Sequence, residues 1–425
     1  MSLRLFLEKQ KPKIIEKEID KNEIPLVIKN DQSLILFKKI KNYDFKIVSG
    51  VCGSRNLIAS WLGTTREKLL FKIADAVQNP KEYKIVDDAP CFEEKNKDLD
   101  DLPLMKYYEK DGGEYIASGV IICKDPESKR FNAAFHRMMK IGKNKMVVRL
   151  CNRDTLKFYN MYSDDMPISI FVGHDPSVLI PGAISAGDTE ELKIMSALRP
   201  LEVAKCKTND LLVPTESEIV IEGRITKENV DEGPFVDISG TYDVVRKQPV
   251  IEIDGIWHRK NPIYHALLPA GREQRLLMGM PREPTIYNEV SKICPVRGVN
   301  ISTGGCSWLH CVLSIKKQKP DDGIKACEAA FKGHNSLKHC VVVDDDIDPF
   351  NMEEVEWAIA TRFQADQQTF TEKRGGSSID PSTAERETLP GTDRRITYIA
   401  GIDATIPFRL NKDKFENAKV VGEKK

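Results

Sequence analysis

Two carboxylates, Glu232 and Asp237, stand five residues apart in the segment DEGPFVDISG, with Gly233, Pro234 and Phe235 between them. A strand would send the two side chains to opposite faces, and a helix would need a spacing of three or four. They can share one task only if the Gly-Pro bend folds the segment so that they converge. Upstream, RFNAAFHRMMKIGKNKMVVRLCNRD gathers Asn132, His136, Arg137, Arg149 and Arg153 in a short span, and SAGDTEELKIMSALRP adds Asp188, Glu190 and Glu191. Cations, oxygen donors and a carboxylate pair suit anion binding, metal ligation and proton transfer. Each residue also has a structural explanation on its own. Arg149 in MVVRL fits a strand position facing solvent, and Glu191 fits the first turn of a helix through ELKIMSALR, where an acid complements the dipole.

The elements that must position these residues follow from apolar periodicity. Residues 1–104 read as a small α/β unit: a helix-like opening, a strand over SLILFKKI, then strand, Gly turn and helix over FKIVSGVCGSRNLIASWLG. That Gly turn lacks the Lys-Ser/Thr of a phosphate loop and reads as an ordinary strand-to-helix turn. Residues 105–304 carry short alternating segments (EYIASGVIICKD, KMVVRLCN, ISIFVGHDP, EIVIEGRIT, VIEIDGIWHR) between Gly, Pro, Asn and Asp turns, the pattern of a β-rich or barrel-like domain. Residues 305–425 change to strand–helix–strand–helix, a βαβα arrangement. There DGIKACEAAFKG is helical with Gly333 as its stop. In DPFNMEEVEWAIATRF, Asp348 is the expected N-cap and Pro349 the first helical residue, with Val355, Ile359 and Phe363 on one face. The stretch EKRGGSSIDPSTAERETLPGTD reads as a long polar loop, a lid or a subunit contact. The acids Asp344 to Asp346 could hold a metal, but a strand end leading into a helix cap explains them more simply.

Composition bounds the function class. Lys+Arg and Asp+Glu balance at 64 each, which removes the electrostatic footprint of a nucleic-acid binder. No apolar run reaches membrane-span length, and MSLRLFLEKQKPK lacks the apolar core of an export signal, so a cytoplasmic enzyme with no membrane partner is expected. The ten cysteines form no CxxC pair and read as reduced core thiols.

Taken in order, NAAFHR, IGKNKMVVRL, FVGHDP, VAKCKTNDLLVPTESEIVIEG and EGPFVD resemble the signature of the UbiD family of decarboxylases, and the resemblance continues through VVVDDDIDPFNMEEVEWAIATR to AGIDATIP. It implies a multidomain α+β chain. The N-terminal α/β unit leads into a split-barrel (flavin-reductase-like) domain that binds prenylated FMN, and the C-terminal α/β domain ends in an oligomerisation tail. The implied activity is a reversible, non-oxidative decarboxylation of an α,β-unsaturated acid. By the same resemblance Arg137, Glu232 and Asp237 look like the catalytic set, and Asn132 and Glu191 like ligands of a divalent ion (Mn²⁺ or Mg²⁺), with K⁺ a further possible ion. Phe135, His136, Arg137, Arg149, Leu150, Cys151, Arg153 and Glu191 fall where the family touches its cofactor. The chemistry is consistent. Arg137 can grip a carboxylate in two-point fashion and should pair with Glu232 and hold it ionised, while Asp237, facing that negative charge in a partly closed pocket, should stay protonated and act as the acid.

Three departures from the family pattern stand out. Arg153 occupies the place of a metal-binding His, Val236 replaces a common Gly, and the chain is shorter than the members acting on aromatic acids. Together they resemble the branch that converts trans-anhydromevalonate 5-phosphate to isopentenyl phosphate and CO₂ in the archaeal modified mevalonate pathway. Such a substrate requires positive charge for its phosphate, which LLPAGREQRLLMGMPRE could supply through Arg272, Arg275 and Arg282. Two alternatives stand beside this reading. A decarboxylase of a 4-hydroxybenzoate-like acid would need a wide flat pocket, and a non-catalytic scaffold of the same fold would have no need of Arg137, Glu232 and Asp237. The resemblance also implies a flavin prenyltransferase as cofactor supplier and a homo-oligomer, a dimer or a ring of dimers.

Overall fold

The computed structural model describes residues 2–392 and 394–415, in two compact units divided between Pro281 and Arg282. Residues 416–425, the end of the expected oligomerisation tail, lie outside the described residues.

The first unit is built on a nine-stranded sheet that curls into a half-barrel. Its spine is one long antiparallel pair, Ile219–Glu232 with Arg246–His258, interrupted by register shifts after Glu222 and after Ile225. On one side it continues through Met166–Val172 and Val120–Lys124 to Phe131–Phe135. On the other it continues through Lys145–Val148 and Met138–Lys140 to Tyr115–Ile116. Alternation along these strands sends Ile121, Met146, Ile168, Ile221 and Ile251 into one apolar core.

A smaller sheet pairs Lys13–Ile15, Ile35–Phe37 and Lys46–Ser49 with a strand from far along the chain, Ile263–His265. The turn after Ser49 demands glycine: Gly50 has φ +84°, and a Cβ there would lie 2.2 Å from the Ser33 carbonyl oxygen. Its amides hold a protein carboxylate. Glu273, from the helix Arg272–Gly279, accepts from the Gly50 and Cys52 N–H groups at 2.7 Å each and contacts His265 Nε2 at 3.0 Å. The turn is therefore filled from within the chain, in line with an ordinary strand-to-helix connection.

Several signature residues serve as struts. Asp175 of FVGHDP caps Pro176–Leu179 and accepts from the Trp61 indole at 2.6 Å. Glu222 gathers the backbone N–H groups of Lys207 and Thr208 at 2.8 and 2.6 Å.

In the second unit a five-stranded sheet runs in the order Val296–Ile301, His310–Ile315, His339–Asp344, Ile396–Ala404, Thr369–Gly375. The three central strands are parallel and both edges antiparallel. The helix Asp322–Gly333 makes the crossover between the first two parallel strands, as a parallel connection requires. The strand Val296–Ile301 precedes the 304/305 boundary expected from sequence and pairs within this sheet.

Two local expectations are corrected here. The last helix starts at Met352 with Asn351, not Asp348, as its N-cap, because the Asn351 side chain reaches the Glu353 N–H at 3.2 Å. Asp348 instead closes a turn on the Phe350 N–H at 3.0 Å. Glu372 to Gly375, expected in the polar loop, form the end of an edge strand paired with Ile396–Ile399. The acids Asp344 and Asp346 share one fully buried cation, Arg362, at 2.7–2.9 Å. None of the ten cysteines is joined in a disulfide. Among the described residues no helix is long and apolar enough to cross a membrane.

Candidate active site

The long strand pair delivers the acids. Glu232 is the last residue of its strand and stands opposite Arg246 in register, so both strands end at one point. Gly233, at φ +101°, turns the chain out of the ladder in a conformation that a side chain disfavours. The excursion then makes its own hairpin, Phe235–Val236 against Tyr242–Asp243, with Asp237 at the start of the connecting turn. The bend thus gathers acids around one arginine, and it adds a third, Asp243, that sequence reading did not single out.

Arg137 lies in the short link between Phe131–Phe135 and Met138–Lys140. Its Nε and Nη2 donate to Glu232 Oε1 and Oε2 at 2.9 and 2.8 Å, a two-point pair on a carboxylate with no solvent exposure. Nη2 also donates to Asp243 Oδ2 at 2.9 Å, and Asp243 Oδ1 lies 2.6 Å from Arg246. The Arg137 guanidinium lies 4.7 Å from the centre of the Phe235 ring. Tyr115 completes the shell by donating its hydroxyl to Glu232 Oε1 at 3.1 Å. Burial works to lower the Arg137 pKa, but Glu232, Asp243 and Asp237 together outweigh it and raise it above the ordinary value.

Asp237 is half-buried and accepts from the Ile238 N–H at 2.6 Å. Burial raises its carboxyl above the ordinary value and, with a smaller contribution from Asp243, outweighs the lowering by the Ile238 N–H, Arg137 and Arg149. The negative charge expected beside Asp237 from Glu232 comes instead from Asp243, because Arg137 already neutralises Glu232. Asp243 itself is pushed up by burial, but Arg246 and Arg137 bring it below the ordinary carboxylate value.

A second cluster meets the first at the Arg149 N–H, which donates to the Arg137 carbonyl at 3.1 Å. Glu191 opens the helix Glu191–Leu198, and its buried carboxylate accepts from the Ala133 N–H at 2.9 Å. The neighbouring Asn132 donates Nδ2 to Thr155 Oγ1 at 3.1 Å, and Thr155 also contacts His136 Nε2 at 3.0 Å. The other ring nitrogen of His136 lies 3.1 Å from the Arg149 carbonyl. Thr155 and His136 therefore link Asn132 to the backbone of Arg149. Thr155 was missed, as a lone helix threonine carries no signal in sequence. Burial pushes the Glu191 carboxyl up to about 7, more than the Ala133 and Glu191 N–H groups and the charge of Arg130 can offset. A hard divalent cation would remedy that, and the donor types fit one. Among the described residues, no three His, Cys, Asp or Glu side chains are grouped to hold a metal.

The remaining expected contacts are spread around this core. Phe135 is partly buried against the sheet core, and the buried Leu150 donates its N–H to Gln248 Oε1 at 2.8 Å. Arg149 Nη1 donates to the Leu150 carbonyl at 3.0 Å. Cys151 and Arg153 are exposed, Arg153 at the N-cap position of Asp154–Met161 without a side-chain cap. Of the three arginines considered for a phosphate, Arg275 reaches the Asp237 loop, its Nε donating to the Ile238 carbonyl at 3.3 Å. Arg272 is exposed at the start of its helix, and Arg282 belongs to the second unit, 5.7 Å from the Trp308 ring centre.

Profiles of the 3-octaprenyl-4-hydroxybenzoate carboxy-lyase (UbiD) N-terminal, Rift-related and C-terminal domains match residues 8–77, 84–272 and 275–404. The anhydromevalonate phosphate decarboxylase of Methanosarcina mazei is 40% identical over 412 residues, 94% of each chain. The structure of the UbiD-class enzyme HmfF from Pelotomaculum thermopropionicum in complex with FMN superposes with a TM-score of 0.93 at 35% identity, covering 99% of this chain and 98% of that one. An evolved dimeric form of HmfF in complex with prFMN gives 0.89 at 33% identity over 99% and 97% of the two chains.

Proposed function

The chain belongs to the UbiD family, and from that premise we propose that it is a prenylated-FMN-dependent decarboxylase converting trans-anhydromevalonate 5-phosphate to isopentenyl phosphate and CO₂. The observation that carries the reading is the Arg137–Glu232 pair beside an acid, Asp237, whose pKa is raised. When bound, the cofactor supplies the electron sink that cleavage of a vinylic C–CO₂ bond requires. Asn132 and Glu191 would hold a divalent ion, Mn²⁺ or Mg²⁺, and Arg149 and Arg153 bring positive charge for the cofactor phosphate.

The chain's own residues orient the acid and manage one proton. Arg137 faces the substrate carboxylate, and Glu232, locked by Tyr115, fixes the plane of the guanidinium. Loss of CO₂ leaves an electron pair on carbon. Asp237, whose burial favours the neutral carboxyl over the anion, delivers its proton to that carbon and is recharged from water on its exposed side. Arg275, tied to the same loop, brings charge for the substrate phosphate. A homo-oligomer, with a flavin prenyltransferase as cofactor supplier, completes the reading.

The test is a mass spectrum of the small molecule released on denaturing protein co-expressed with a flavin prenyltransferase, followed by turnover of the phosphorylated acid and of 4-hydroxybenzoate side by side. Prenylated FMN and CO₂ release from the phosphorylated acid are expected. An empty folded protein would overturn the cofactor assignment, and turnover of the aromatic acid alone would overturn the substrate.

A further inference from the structure

Asp243 and the incoming substrate want the same edge of Arg137. A guanidinium has two edges that can grip a carboxylate with two parallel N–H groups, Nε with Nη2 and Nη1 with Nη2. Glu232 fills the first edge at 2.9 and 2.8 Å. Asp243 Oδ2 takes the remaining Nη2 hydrogen at 2.9 Å, which is half of the second edge. A substrate carboxylate can therefore be gripped at two points only if Asp243 lets go.

Asp243 has somewhere to go. Its other oxygen already lies 2.6 Å from Arg246, which remains partly solvent-accessible and stands in register opposite Glu232 at the mouth of the strand pair. The Val244 N–H donates to the same oxygen at 2.9 Å, so the carboxylate is anchored to its own hairpin by its far side. That hairpin carries Asp237 at the start of its turn. Release of Arg137 by Asp243 would therefore free the element that carries the proton donor.

We propose that Asp243 is a positioning residue that occupies the substrate edge of Arg137 in the free enzyme and passes to Arg246 when an acid binds. This couples docking of the carboxylate to placement of the hairpin that bears Asp237. The inference rests on the decarboxylase reading above and adds the group that the substrate must displace.

Two variants should move in opposite directions. Asp243→Asn removes the competing charge, so the acid should bind about tenfold tighter, the scale of a close charge pair that is partly solvated. Arg246→Gln removes the partner that draws Asp243 away, so the acid should bind about three- to fivefold more weakly. The holoenzyme would be titrated calorimetrically with the saturated counterpart of trans-anhydromevalonate 5-phosphate, which keeps the carboxylate but lacks the reactive double bond. Isopentenyl phosphate, which has no carboxylate, serves as the control and should bind all three proteins alike. In turnover, Asp243→Asn should lower KM and kcat together, since the acid docks more easily on a hairpin less firmly placed.

Both variants weakening the acid equally, or neither changing its affinity, would overturn the proposal, because a merely structural role predicts no opposite signs. Failure of the saturated acid and of isopentenyl phosphate to bind even the wild type would overturn the substrate assignment itself, and this inference with it.

Discussion

Tyr115 donates its hydroxyl to Glu232 Oε1 at 3.1 Å, on a carboxylate that Arg137 already holds at two points and that has no contact with solvent. Tyr115 is itself fully buried on the strand Tyr115–Ile116, its ring 4.5 Å from that of Phe235. The tyrosine thus fixes Glu232, and Glu232 fixes Arg137.

Tyr115→Phe keeps the ring packing and removes one donor from a buried acceptor. The expected loss is about 1–3 kcal/mol of stability. Urea unfolding of the variant against wild type checks it, together with kcat, which should fall because the guanidinium is less firmly aimed.

Arg137→Ala leaves the Glu232 carboxylate buried without its cation, which costs about 3–5 kcal/mol. Arg137→Lys retains the charge but offers a single donor point where Glu232 now accepts two. Its stability should fall less while kcat/KM still drops, a separation read from thermal unfolding and steady-state kinetics on the same preparations.

Asp237 must be protonated to deliver its proton, and its pKa is raised above the ordinary 3.8 by burial. Turnover should therefore fall as pH rises through that raised value. Asp237→Asn should abolish turnover with fold and cofactor content retained, and Asp237→Glu should keep activity with a displaced alkaline limb. A kcat–pH profile that is flat across the alkaline limb in wild type would remove Asp237 from the role.

Burial lifts Glu191 from an ordinary 4.5 to about 7, so the folded chain binds a proton there that the unfolded chain has already released. The stabilising contribution is complete below pH 4.5 and is lost as pH rises through about 7, up to about 3 kcal/mol in divalent-free protein. Excess Mn²⁺ or Mg²⁺ should restore it by favouring the carboxylate. Glu191→Gln should remove both the pH dependence and the ion effect, as read from denaturation midpoints with chelator and with added metal.

Glu273→Gln tests the turn at the heart of the small sheet. The carboxylate accepts from the Gly50 and Cys52 amides at 2.7 Å each, and an amide side chain can satisfy only one of them as acceptor. About 1–3 kcal/mol of stability should be lost, with faster hydrogen exchange at those two amides.

The sequence by itself determined the class of fold. Short apolar segments between turn residues marked the strands Val120–Lys124, Met166–Val172 and Ile219–Glu232, whose alternate residues enter two different cores, and apolar helical spacing marked Asp322–Gly333, because an element's apolar pattern follows the faces it buries. Ordered motifs brought Arg137, Glu232, Asp237, Asn132 and Glu191 into view before any geometry was known. Helix ends were less legible, since Asp348 and Asn351 are both good caps and only the chain path selects between them. Tertiary structure alone decided three further things. It put Asp243 on Arg137, through a hairpin register that composition does not encode. It joined Asn132 to Arg149 through Thr155 and His136, residues that meet across more than one element. It gave Asp344 and Asp346 to Arg362, many residues away, in place of a metal. In each case the deciding quantity is a distance between side chains far apart in the chain, and spacing along a sequence carries no information about that distance until the strands have paired.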